Sequence, residues 1–117
     1  MRKYSLMGLV MLLALVATPA SATYVCQGTV TNLNVYAGGT VTLSLGGGQA
    51  MSNIYLCSVT ANFGNWTPND CKAAYATLLS ARLTGQQVAL EFSDNLTCTT
   101  QNTTGSPTSN YAVWIPN

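Results

Sequence analysis

Histidine is absent from this sequence, and charged residues make up only 6% of it. Without an imidazole, the commonest general base at neutral pH is missing. Two of the four cations, Arg2 and Lys3, stand at the extreme N-terminus, so the rest of the chain carries Lys72 and Arg82 against Asp70, Glu91 and Asp94. Two cations give almost no counterion release on a nucleic acid and little attraction to an anionic membrane, so neither is expected as a partner. Also lacking is any C-x-x-C pair. Cys26, Cys57, Cys71 and Cys98 are widely spaced, and a zinc ion would need all four thiolates. No metal or other cofactor is expected, and no internal repeat of supersecondary length is visible.

Long apolar runs are lacking after residue 22. The one that exists, over residues 6–17, follows Arg2-Lys3 and precedes Thr18-Pro19-Ala20-Ser21-Ala22. A charged start, a short apolar stretch and an A-x-A end predict a secretory signal peptide over residues 1–22. The stretch is too short for a comfortable membrane span, so no transmembrane segment is expected in the mature chain. That chain, residues 23–117, reads as one small domain of net charge −1, secreted or periplasmic. Four cysteines in an exported chain of this size are expected to form two disulfides.

The remaining pattern predicts short strands around one helix. Residues 24–36 alternate with Cys26, Gly28 and Val30 inward, and then change parity at Leu33 and Val35, as a bulged or bent strand does. Residues 40–45 follow, with Val41, Leu43 and Leu45 inward. A third strand is expected over 54–61, with Tyr55, Cys57 and Val59 on one face and Ile54 and Leu56 on the other. Thr67 as N-cap, Pro68 at the first helical position and Asp70 in a capping-box place announce a helix that Gly85 stops. Its apolar stripe is Cys71, Ala74, Tyr75, Leu78 and Leu79. Strand periodicity returns at Val88, Leu90 and Phe92, and again at Tyr111, Val113 and Ile115, with a long polar loop over 94–110 between them.

Three strands, a helix and two strands, with the first strand bent, predict a mainly β fold: an OB-like, five-stranded, partly open barrel with its helix between strands 3 and 4. In that arrangement a Cys57–Cys71 disulfide staples the helix to strand 3, leaving Cys26 to pair with Cys98. The three connectivities remain open from sequence.

The segments "CSVTANFGNW" and "YATLLSARLTGQQVALEF" resemble the equivalent part of the B subunits of subtilase-cytotoxin and related pertussis-like AB5 toxins. The matching residues are Cys57 and Ser58, the helix body from Tyr75 through Leu79, and Thr84-Gly85-Gln86 with Val88. "GTVTNL", from Gly28, is a weaker match to the first strand. The resemblance covers roughly half the mature chain. It implies an OB-like subunit that forms a ring pentamer and binds cell-surface glycans, and no glycan-contacting residue can be aligned.

Three classes of function are weighed by residue chemistry. For catalysis, Asp70 is better used as a cap, and Glu91 and Asp94 lie at one strand end where carboxylates are ordinarily solvated, so no catalytic residue is assigned and a non-enzymatic role is expected. For binding, a surface rich in Asn, Thr and Tyr suits sugar hydroxyls, and Asn65 and Trp66, with Tyr36 next, are the candidate contacts. The competing reading of Trp66 is a hydrophobic staple against the helix start. For assembly, low charge and many strands favour self-association, with a small envelope or interaction protein of the same fold as the alternative to a toxin-like subunit. Asn65-Trp66-Thr67, Asn95-Leu96-Thr97 and Asn102-Thr103-Thr104 are glycosylation sequons, to which no function is attached.

Overall fold

The computed structural model describes residues 23–101 and 108–117; the predicted signal peptide and the Asn102 sequon lie outside them. Five strands form one antiparallel sheet: β1 (Tyr24–Val35), β2 (Thr40–Gly46), β3 (Met51–Ser58), β4 (Gln87–Phe92) and β5 (Asn110–Trp114). Helix α1 (Pro68–Thr84) joins β3 to β4, and a four-residue turn of helix, α2 (Cys98–Gln101), stands between β4 and β5. The strand order is β3-β2-β1-β4-β5, with β3 and β5 at its two ends. The sheet is therefore open, where a closed barrel would join those ends.

Strand β1 is the spine, pairing with β4 through its first half and with β2 through its second. The change of parity read from the sequence is a bulge between Val30 and Asn32. Cys26 and Val30 are buried and Leu33 packs against the core, whereas Val35 is exposed. Strand β3 differs more. It starts at Met51 and ends before Val59, and it does not split into two faces: Ile54, Leu56 and Cys57 are all fully buried. Val41 pairs with Cys57 and Thr42 with Tyr55, so Leu56 is the extra residue of a bulge that turns two neighbours inward.

Helix α1 begins and ends where its signals say. The Thr67 hydroxyl accepts from the Asp70 amide at 3.2 Å, and Gly85, at φ 70°, closes the C-terminus in the left-handed region that a side chain would strain. The Asp70 carboxylate departs from a full capping box: its Oδ2 accepts from the Thr67 hydroxyl at 2.8 Å. The buried face is Cys71, Ala74, Leu78 and Ala81, with Tyr75 packed beside it; Leu79, expected inside, is on the exposed side. The polar loop over 94–110 is not structureless, since it contains α2 and is tied back by Asp94. That carboxylate accepts from the Tyr24 hydroxyl at 2.7 Å, from the Leu96 amide at 2.8 Å and from the Ser109 hydroxyl.

Two disulfides, Cys57–Cys71 and Cys26–Cys98, have the expected pairing. The first ties α1 to β3, and the second ties the start of β1 to α2. In the chain-entropy model they contribute about 3 and about 4 kcal/mol, the longer loop counting for more. Replacing Cys57 and Cys71 together by Ser should lower unfolding free energy by about 3 kcal/mol in urea titrations, with the Cys26–Cys98 pair intact by mass. A loss under 1 kcal/mol would mean that noncovalent packing alone holds the helix.

Candidate functional site

A turn, a helix face and an edge strand meet at one cleft. The turn is Phe63-Gly64-Asn65-Trp66, closed by reciprocal backbone bonds: the Phe63 amide to the Trp66 carbonyl at 3.0 Å and the Trp66 amide to the Phe63 carbonyl at 2.9 Å. Gly64 is required there. Its φ is 53°, and a Cβ would lie 2.5 Å from the Thr108 carbonyl oxygen, so only glycine lets the turn approach the backbone leading into β5 this closely. Asn65 fastens the contact, its Nδ2 donating to the carbonyls of Thr108 at 3.3 Å and Asn110 at 3.2 Å.

Trp66 is half-buried and packs against the core, and its indole Nε1–H donates to Asn110 Oδ1 at 2.9 Å. Asn110 is 1% exposed, and its amide also donates to the carbonyls of Glu91 at 2.9 Å and Ala112 at 3.2 Å. A buried amide with partners on both its oxygen and its nitrogen costs little, and it fixes whatever it holds. It sits at a bulge: Phe92 pairs with Asn110 and Glu91 with Ala112, so Tyr111 is the extra residue. Asn110 is thereby buried against Trp66 while its neighbour Tyr111 is left at the rim, 41% exposed.

Between this assembly and α1 lies a pocket of about 290 Å³, bordered by Asn65, Trp66, Asp70, Ala73, Thr77 and Tyr111. Ala74 and Val113 complete its apolar floor. Two rings and several hydrogen-bonding groups thus converge on a concave surface. The Thr77 hydroxyl donates to the Ala73 carbonyl at 3.2 Å, leaving its oxygen as an acceptor. The Tyr111 hydroxyl is held protonated beyond the ordinary phenol range, first by its hydrogen bond to Glu91, then by partial burial and by the Glu91 charge.

Of the residues named from sequence, Asn65 and Trp66 border the pocket together and Tyr36 does not. Tyr36 is 53% exposed in the β1–β2 turn, where its backbone bonds Thr40 and Gly39. Trp66 is a structural residue as well as a pocket wall, its indole N–H engaging β5 beyond any packing on the helix start. Asp70, Thr77 and Tyr111 were not anticipated as pocket residues: Asp70 carried a cap signal, Tyr111 a core-strand signal, and Thr77 none. Among the described residues, no cluster of His, Cys, Asp and Glu could hold a metal ion, and no helix is long and apolar enough to cross a membrane.

Trp66→Phe keeps a ring but leaves Asn110 Oδ1 buried without its donor, which should cost about 1–3 kcal/mol. Asn110→Ala should cost at least as much. Because both remove the same bond, the double variant should lose less than the sum of the two in denaturant titrations; strict additivity would show the bond to be energetically idle. No protein-family model, curated protein or solved structure matches this chain.

Proposed function

We propose that this chain is an exported, non-enzymatic binding subunit of OB-like architecture whose α1–β5 cleft takes up a glycan, in the manner of the toxin B components it resembles. The observation that carries the reading is the cleft itself: the rings of Trp66 and Tyr111 border the same pocket as the polar side chains of Asn65, Asp70 and Thr77. Aromatic faces cover the C–H faces of sugars, and short fixed polar groups meet their hydroxyls. The OB-like reading is supported by the bulged β1 paired to both β2 and β4 and by the helix between β3 and β4. Bringing the β3 and β5 ends of the sheet together would close the barrel.

Assembly as a homo-pentamer belongs to the same proposal. Leu79 and Leu83 lie four residues apart on α1, and Leu83 is 79% exposed. An exposed apolar pair on a helix face, with Arg82 beside it, is suited to burial against a second copy of the same chain. The disulfides fit an oxidising compartment, secreted or periplasmic.

Light scattering on the oxidised protein should give a discrete pentamer; a monomer would remove the ring and favour an exported interaction protein of the same fold. Glycan binding is tested separately with Ala73→Leu, a helix-compatible change at an exposed position that fills the pocket. It should abolish binding on a glycan array while shifting stability by no more than about 0.5 kcal/mol. Retained binding would move the site elsewhere, with Tyr36 the next position to change.

A further inference from the structure

The two disulfides differ in what a reagent from solution can reach. We infer that Cys98 is a thiol-exchange site: a small thiol of the glutathione class opens the Cys26–Cys98 bond at Cys98 while the domain stays folded, and Cys57–Cys71 stays closed. Cys26, Cys57 and Cys71 are each 0% exposed, whereas Cys98 is only partly buried where it packs on the core. Exchange requires a thiolate to reach one of the two sulfurs, so access selects both the bond and the sulfur that is attacked. Cys57 stands at the β3 bulge between buried Leu56 and Ser58, and Cys71 on the inner face of α1 with Ala74 and Leu78. Either becomes reachable only when the helix leaves the sheet. Cys98 instead opens the short turn of α2, where its neighbours Leu96, Thr97, Thr99 and Thr100 are exposed. The inference is independent of what the cleft binds.

The incoming thiolate bonds to Cys98 Sγ, the bond to Cys26 breaks, and Cys26 leaves with the electron pair and takes up a proton. A second thiol then attacks the reagent's sulfur in this mixed disulfide, releasing Cys98 reduced and the reagent oxidised to its own disulfide. A noncovalent tie runs beside the bond and outlasts it. Tyr24, two residues before Cys26, donates to Asp94 at 2.7 Å, and Asp94 also accepts at 2.8 Å from the amide of Leu96, two residues before Cys98. The Thr97 hydroxyl accepts from the Thr100 amide at 3.3 Å and holds the turn of α2. The opened cysteines therefore stay close, and reclosure is an intramolecular step at high effective concentration.

The oxidised protein is incubated with reduced glutathione without denaturant, quenched with an alkylating reagent and mapped by peptide mass. Cys26 and Cys98 should become labelled about tenfold or more faster than Cys57 and Cys71, with a glutathione adduct on Cys98 and none on Cys26. Four thiols appearing together, Cys57 and Cys71 appearing first, or an adduct on Cys26 would overturn the inference. Tyr24→Phe keeps the ring stacked on Phe92, at 5.3 Å, and removes the hydroxyl that donates to Asp94. By lowering the effective concentration for reclosure, it should raise the ratio of open to closed Cys26–Cys98 about tenfold at a fixed glutathione poise, with Cys57–Cys71 still closed. An unchanged ratio would overturn the tie through Asp94. Opening of both bonds at once in this variant would mean that exchange follows global unfolding, and would overturn the site at Cys98.

Discussion

The Cys57–Cys71 bond is the constraint on which the rest of the domain depends, because α1 has little else to grip with. Its buried face consists of Cys71, Ala74, Leu78 and Ala81, so Leu78 is the one large apolar side chain that it inserts fully into the core. Burying alanines contributes little hydrophobic free energy, and a full leucine about 1.5–3 kcal/mol. A covalent tie to β3 in the first turn of the helix is comparable in size to that whole contribution. Small residues on the same helix have a second effect. Ala73, Ala74 and Thr77 do not fill the space toward β5, and the pocket exists because they leave it open. The disulfide therefore permits a helix with a poor packing face, and the poor packing face provides the cleft.

The other end of the cleft is held by a buried amide. Asn110 joins the indole of Trp66 to the β4 backbone and to its own strand, and Asn65 bonds the Asn110 carbonyl in return. A hydrophobic residue at 110 could pack, but it could not fix both the orientation of the Trp66 ring and the bulge that sets Tyr111 at the rim. Buried polar groups of this kind specify one arrangement when all their partners are present. The walls of the site are thus set by two different means: a disulfide positions the helix, and a hydrogen-bonded asparagine positions the rings.

Much of this was legible in the residues, and the exceptions share a cause. The five strands, the helix with its Thr67, Pro68 and Gly85 boundaries and the β1 bulge followed from periodicity, capping chemistry and the order of elements, while the disulfide pairing is the one the OB-like order favoured among three that the sequence left open. Period-two reading fails wherever a bulge inserts a residue, as at Leu56, which put Leu56 and Cys57 into the core together, and at Tyr111, which moved a supposed core residue to a cleft. Leu79 was misplaced because the inward stripe runs through Cys71, Ala74, Leu78 and Ala81, which leaves Leu79 on the exposed side. Trp66 was legible as a contact candidate, but its bond to Asn110 spans 44 residues of sequence and leaves no local signature.

The scarcity of charge acquires a meaning from where the charges stand. Two of the three acids after residue 22 accept from nearby hydroxyls: Asp70 from Thr67, and Asp94 from Tyr24 and Ser109. One of these carboxylates serves as a helix-cap partner and the other as the anchor of a loop. Under the binding role proposed above, the cleft acts through the rings of Trp66 and Tyr111 and the polar side chains of Asn65, Asp70 and Thr77.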